Sequence, residues 1–397
     1  MNFIKKNIDS IVIFFLMAFF VSDFLTSITF KLVPNSFYRY SGIVKLVFEI
    51  FMVFMIITQY KKPFRTLWFI LGITASFIIS QLLLNSPEGY NLQTEFLSGN
   101  IYFFNRYIYL LIFALFIKTI PLKEETYQKI YTYFEYFLYV NAIALICGYI
   151  FHIELFRSYE YTVRFGVTGF FSKPGEASYM YMIAVAVNYY FWITNKQKKY
   201  GYKLLFFIAC SLCLGQKKML LFLLLLGIVF LVRHNRYKKI FSWTLGVLAV
   251  GFFFFKETIL TELIKSSDFW TVIYNESGLL STVTSYRDQL LIDTMNHMNE
   301  NWSFLNYIFG GLDFNTFKVE FEFIDLYIFM GIAGIIYYLY VVSMLFNGSD
   351  LVKRNLIIIT FVTSLLSGGL LLNVTAAILF YIVVKYVMKS NKNVPNG

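Results

Sequence analysis

Charge is what this sequence has least of. Of its 397 residues only 14% are Asp, Glu, Lys or Arg, where a soluble domain carries about a quarter, so a soluble globular protein is a poor fit. The long apolar runs that fill the space also exclude a disordered tail or a coiled coil. Cysteine is scarce as well. Cys147, Cys210 and Cys213 all lie inside apolar runs, and their spacing offers neither a disulfide framework nor a zinc site. There are three histidines, and neither His152 nor His234 has a neighbour that suggests metal ligation. No phosphate-binding glycine loop, nucleophile elbow or metal-binding acidic motif is present.

In their place stand 58% hydrophobic residues, a mean hydropathy of +0.63 and 21% aromatics, with 47 Phe and 31 Tyr. That composition suits lipid-facing surface, interfacial belts and sugar contact alike. A helix crossing hydrocarbon takes about 20 apolar residues. The segments 8–30, 43–60, 67–84, 101–120, 134–151, 177–194, 240–255 and 323–346 meet that demand. Two further stretches are interrupted: 204–232 by Gly215-Gln216-Lys217-Lys218, and 356–387 by Ser367-Gly368-Gly369 and Asn373.

Parity decides how to read those two. Lys196, Lys198 and Lys199 precede the first, and Arg233, Arg236, Lys238 and Lys239 follow it. Basic clusters belong on the cytoplasmic side, so two crossings must separate them. The same reasoning makes 356–387 a hairpin. The expectation is an all-α polytopic membrane protein of about twelve transmembrane helices, one integral unit over 1–397, with both termini cytoplasmic. Lys5 and Lys6 precede an apolar stretch with no small-residue cleavage site, which reads as an uncleaved first span. The net charge of +11 is then a topology signal, and nucleic acid is not implied.

The remaining information lies outside the spans, in an outer loop at 152–176 and a large outer loop at 256–322 expected to pack over the membrane part. The first contains Arg157, Arg164 and Lys173. Lys217 and Lys218 sit at a short hairpin tip, where they either snorkel to the headgroups or face a wet recess. Thr284-Ser285-Tyr286-Arg287-Asp288 opens an expected helix to about Met298, with Ser285 as N-cap. A cation in a first turn is misplaced unless an anion binds there; an Arg287–acid surface pair is the plainer reading. Glu320, Glu322 and Asp325 form a pool of candidate general bases. Glu176 and His297 are weaker candidates, and Asp23 and Glu49 are expected to pair with Lys31, Arg39 or Lys45.

On these residues the chain resembles the Wzy-type O-antigen polymerases of the O-antigen polymerase/ligase superfamily. Arg164 followed by ten residues and Gly175 is similar to the Arg–ten–Gly pattern of their periplasmic loops, and Arg164, Gly169 and Pro174 fit its broader form. Gly215-Gln216-Lys217-Lys218 resembles their short basic motif between consecutive spans. Thr284-Ser285-Tyr286-Arg287 resembles the Ser-Gly-Arg segment opening the large loop, and Phe309-Gly310-Gly311-Leu312-Asp313 its later glycine-rich stretch. Two features depart from the pattern: Tyr286 stands where the family has Gly, and Met298 stands where a second Arg–ten–Gly would end.

The resemblance implies a metal-independent, cofactor-free glycosyltransferase of the GT-C kind in the bacterial inner membrane, with its active site facing the periplasm. Its substrates would be undecaprenyl-diphosphate-linked repeat units, and its other partners membrane lipids, with a chain-length regulator and a flippase in the same pathway. The reaction needs cations at a diphosphate leaving group and a base at the attacking hydroxyl. Arg164, Lys173, Lys217, Lys218 and Arg287 are the expected diphosphate ligands. Arg164 and Arg287 lead the catalytic set, with Glu322 or Asp325 as the base. An O-antigen ligase is the nearest alternative, although the stretch Glu322-Phe323-Ile324-Asp325 lacks the ligases' usual His. A flippase or other transporter is the alternative from another class.

Overall fold

The computed structural model describes residues 2–33, 39–59, 65–84, 94–159, 165–233, 268–346 and 350–390. Among them nearly everything is helix, and an antiparallel bridge joins Arg157 and Val167. In chain order the helices are α1 (Asn2–Leu32), α2 (Tyr40–Gln59), α3 (Arg65–Leu82), α4 (Thr94–Thr119), α5 (Glu124–Ile150), α6 (Pro174–Asn195), α7 (Lys198–Leu212) and α8 (Lys217–Arg233). There follow α9 (Asp268–Thr284), α10 (Arg287–Asn301), the short α11 (Phe304–Phe309) and α12 (Phe314–Phe317), α13 (Glu322–Phe346), α14 (Leu351–Ser367) and α15 (Val374–Ser390). The expected span at 240–255 lies outside the described residues.

Six of these helices are long and apolar enough to cross a membrane: Lys6–Leu32, Tyr40–Gln59, Arg65–Leu82, Leu97–Thr119, Glu124–Ile150 and Glu322–Phe346. Their outer faces are apolar. On α5, Tyr136, Val140, Ile143, Ile146 and Ile150 recur every three or four residues and are all exposed; on α2, Ile43, Val47, Ile50, Phe54 and Ile57 do the same. A water-soluble bundle would bury such stripes. This is a membrane-embedded helical protein. Its centre is α6, buried on every side from Glu176 to Phe191, beside α15, which packs against α4, α5 and α6.

The interrupted stretches each form two helices. Between α7 and α8 the chain turns at Gly215, with φ +64, and α8 then leaves α7 to pack chiefly against α14. Between α14 and α15 it turns through Gly368 and Gly369, with φ +64 and +88. Many helix ends converge where these turns lie. Lys31 at the end of α1 donates to the carbonyls of Leu155 and Arg157 (2.8 and 3.1 Å). Thr375 of α15 donates to Asp23 of α1 (2.8 Å), and Tyr179 of α6 to the Gly368 carbonyl. The opposite end is closed by other pairs, such as Lys203–Glu135 (2.6 Å).

The segment 268–320 folds onto the first of these ends: α11 packs on α3 and α13, and α12 on α4 and α13. The expected helix opening is corrected here. Ser285 does not cap α10. Ser285 and Tyr286 both take left-handed backbone (φ +59 and +66), Tyr286 is the N-cap, and the Ser285 hydroxyl instead accepts from Lys217 (3.1 Å).

The glycine-rich stretch has a packing explanation. Helix α11 stops at Gly310 (φ +80), and α13 is broken at Gly331 (φ +61). A Cβ on Gly310 would lie 2.5 Å from the Phe329 carbonyl oxygen and 2.6 Å from the Met330 nitrogen; one on Gly331 would lie 2.6 Å from the Gly310 nitrogen. The two backbones interlock, and no side chain fits between them. Gly310→Ala is expected to lower stability by about 2 kcal/mol or more, since left-handed strain alone costs roughly 1–3 kcal/mol. Gly72→Ala, on α3 with open space at the Cβ, is expected to leave it unchanged or slightly raised. Thermal unfolding of the two variants in detergent checks the contrast.

Candidate functional site

A cavity of about 1040 Å³ opens at the end where the turns converge, walled by the C-terminal part of α1 and the N-terminal parts of α2, α4, α6 and α15. Its lining carries the cations Lys31, Arg39, Lys45, Arg106 and Lys173 and the carboxylates Asp23, Glu49 and Glu176. Asp23 is fully used: Lys45 (2.7 Å), the Ser41 hydroxyl and Thr375 all donate to it. The expected pairing of Asp23 with Lys45 is therefore present. Glu49 does not pair with a cation in the same way; it accepts from the Asn105 amide (2.8 Å). Glu176, in the first turn of α6, is buried and accepts from Ser172 (3.1 Å).

Next to this cavity lies a second group of charges. The Lys218 ammonium stands 4.0 Å over the Tyr179 ring. Gly175 makes room for it, because a Cβ there would lie 3.2 Å from Lys218 Nζ. Arg287, at the start of α10, pairs with Glu320 (2.9 and 3.2 Å), and Lys318 lies 4.0 Å from the same carboxylate. Lys218 feels the charges of Arg287, Glu320, Glu322 and Lys318. Lys173 feels that of Lys318 too, so Lys318 stands electrostatically between the two groups. The Lys173 ammonium is held below the usual lysine range, first by burial and then by the Arg106 and Lys318 charges, against the pull of Tyr102 and Glu176.

The expected site residues therefore divide. Lys173, Lys218, Arg287 and Glu176 come together at one end of the bundle. Arg164 lies outside the described residues. Lys217 is engaged elsewhere: it donates to the Thr282 carbonyl and to Ser285, and lies 5.0 Å from the Trp270 ring centre, so it fastens the segment before α10.

The two expected bases are not open to a substrate. Glu322 is wholly buried and accepts from the Ser364 hydroxyl and from the backbone N–H groups of Leu370 and Leu371. Asp325 accepts from the backbone N–H groups of Val319 and Glu320 (2.8 and 3.1 Å), with its other oxygen buried. His297 packs against Phe317, and burial lowers its pKa despite the nearby Glu300. Arg39, expected only as a partner for Asp23 or Glu49, joins Arg106 and Lys318 at this end without any sequence motif marking the three. Arg106 did carry a signal, as an arginine inside the apolar run 101–120.

No family model, curated protein or solved structure matches the chain.

The Arg287–Glu320 pair has a defined pH dependence. Burial alone would raise the Glu320 carboxyl, but the hydrogen bond and charge of Arg287, with Lys318 and Lys218, outweigh it and hold the carboxyl low. A depressed carboxylate stabilises fully above its ordinary value of 4.5 and loses that contribution as pH falls through the lower folded value. Asp288 titrates nearby: burial opposes its ionisation, and hydrogen bonds from Ser281, Thr284 and its own backbone prevail. Amide protection factors over 287–301, with exchange corrected for its intrinsic slowing in acid, are expected to fall as pH is lowered past 4.5. Glu320→Gln should show faster exchange already at neutral pH and a smaller acid response, the remainder coming from Asp288.

Proposed function

We propose that this protein is a glycosyltransferase of the O-antigen polymerase kind, with twelve spans, both termini cytoplasmic and the cavity end facing the periplasm of the inner membrane. One observation carries the reading. Lys218 and Arg287 come together beside a carboxylate-lined cavity, and the segments around 173–176, 215–218 and 284–287 that bring them there are among those on which the family resemblance rests.

The chemistry follows from that arrangement. The acceptor hydroxyl oxygen attacks the anomeric carbon of the donor sugar, and the bond from that carbon to the lipid diphosphate breaks. The diphosphate leaves with the electron pair and is stabilised by fixed cations. The hydroxyl proton passes to a carboxylate. Lys218 and Arg287, with Arg164 on the strength of the sequence pattern, take the leaving diphosphate. Glu176 takes the part of the base, because it lines the cavity one residue from the glycine that admits Lys218, whereas Glu322 spends both oxygens on buried donors and Asp325 is buried with one oxygen tied to backbone N–H groups.

The test is lipopolysaccharide length on a gel in a strain lacking its own polymerase. Core bearing a single repeat is expected without the gene, and a ladder with it. Glu176→Gln, Arg164→Ala and Arg287→Ala should abolish the ladder at normal protein abundance. Glu322→Gln should act through lowered abundance, since buried donors left unpaired cost roughly 1–3 kcal/mol each. An unchanged ladder in the deletion overturns the polymerase reading, and loss of even the single repeat from the outer face points to a flippase.

A further inference from the structure

The cavity contains more positive charge than its carboxylates neutralise. Asp23 is taken by Lys45, Ser41 and Thr375, Glu49 accepts from Asn105 and Glu176 from Ser172. That leaves Arg39 and Arg106, which come from segments 67 residues apart in sequence, the difference between positions 106 and 39. Both guanidiniums rest against one ring, that of Tyr102, at 5.6 and 5.2 Å from its centre. Tyr102 orients them and supplies some cation–π attraction, but it carries no charge to offset theirs. Lys173 stands close enough to feel the Arg106 charge.

The backbone adds to the imbalance. The first turns of α2, through Ser41 and Gly42, and of α15, through Val374, line the cavity, as do Ser172 and Lys173 at the head of α6. Three helix N-termini, each presenting the positive end of a helix dipole, therefore face the same space, although several of their first N–H groups already have acceptors, Ser41 in the Thr26 hydroxyl and Ala376 in the Asn373 side chain. Positively charged side chains at helix N-termini repel those dipoles, and three such ends meeting cations is an arrangement that an anion completes. A forked guanidinium pair is suited to a group with several oxygens. The volume, about 1040 Å³, accepts a diphosphate together with the first sugars attached to it.

We infer that the Arg39–Tyr102–Arg106 pair and Lys173 form a diphosphate-binding site of their own, separate from the group around Lys218 and Arg287. The protein then has one diphosphate site for each of two lipid-linked substrates. The inference rests on the glycosyl-transfer reading above for its choice of ligand. In that reaction both the donor and the acceptor carry a lipid diphosphate, and only the donor's bond to it is broken. The acceptor's diphosphate stays intact and still has to be held.

Native mass spectrometry of the full chain in phosphatidylcholine nanodiscs counts the sites, with farnesyl diphosphate as the probe. Two bound molecules are expected. Arg39→Gln with Arg106→Gln should remove one of them, or weaken it by about tenfold or more, the order that loss of charge-assisted hydrogen bonds brings. Lys218→Gln with Arg287→Gln should remove the other, and the Arg39→Lys, Arg106→Lys pair should restore part of the lost binding. Unaltered thermal unfolding of the Arg39→Gln, Arg106→Gln chain shows that it remains folded.

A single bound probe in the unaltered chain, or two in the Arg39→Gln, Arg106→Gln chain at unaltered affinity, overturns the inference. Equal binding of farnesyl monophosphate at this site overturns its assignment to a diphosphate, and binding of inorganic pyrophosphate in place of the lipid form overturns its assignment to a lipid-linked one. A ladder-forming chain with only one site would sink this inference and leave the polymerase reading standing. Two sites in a chain that forms no ladder would do the reverse.

Discussion

Backbone N–H groups released where a helix breaks inside apolar surroundings must find an acceptor, because no water is there to take them. At the cavity end of this bundle Glu322 is that acceptor. The chain breaks between α14 and α15, and the N–H groups of Leu370 and Leu371, with the Ser364 hydroxyl, all point to the one carboxylate at the start of α13. The rest of the site hangs on this tie. With the break fixed, the Gly368 carbonyl is in place to accept from Tyr179. The Tyr179 ring, so held, becomes the surface over which Lys218 rests. Three residues along α13, Asp325 performs the same service for the turn before it, and so sets Glu320, in left-handed backbone at φ +67, against Arg287.

The cations at this end meet three different fates, and the difference sorts structural charge from available charge. Lys31 and Lys217 donate to main-chain carbonyls and hold segments together. Lys45 and Arg287 are in ion pairs, but the two are unlike. Lys45–Asp23 is largely buried and further hydrogen-bonded, so removing one partner strands a charge. Arg287–Glu320 is half-exposed on the acid side, a setting in which pairs contribute little and part readily. Arg39, Arg106 and Lys218 rest on aromatic rings. A ring positions a cation without discharging it, so these three, and Arg287 once it leaves Glu320, have charge to offer a ligand.

Much of the fold could be read from apolar periodicity and charge placement. The interruptions at Gly215 and at Gly368-Gly369 fall where α7 gives way to α8 and α14 to α15, because glycine and polar residues inside an apolar run are costly unless the helix ends there. The site was legible only in part. Glu320, Glu322 and Asp325 look alike in sequence, three acids within six residues, yet one faces a guanidinium and two serve backbone N–H groups. Which donors approach a carboxylate depends on the turns at 319–320 and 368–371, and those turns leave no periodic signal. Ser285 shows the same gap: its type and position fit an N-cap, but the left-handed backbone at 285–286 moves it off the helix start and gives its hydroxyl to Lys217. The Arg39–Tyr102–Arg106 contact joins two helices and could not be inferred from either segment alone.

Gly175 joins these strands of the argument. Read as sequence, it closes an Arg–ten–Gly spacing, and the natural assumption is that the arginine matters and the glycine merely permits a turn. Its backbone needs no glycine, since it lies within the first turn of α6 and is not among the residues with positive φ. What it provides is space. The ammonium that fills this space comes from Lys218, 43 residues further on as the difference of the two positions, and reaches it only because the turn at Gly215 is clipped to the loop before α6 by the Val167 N–H on the Cys213 carbonyl (2.9 Å). The glycine that closes that spacing is thus a seat for a cation from a distant segment, Lys218. On the proposed glycosyl-transfer reading such a seat has a use, since a diphosphate leaving group carries more than one negative charge to be met at the same moment.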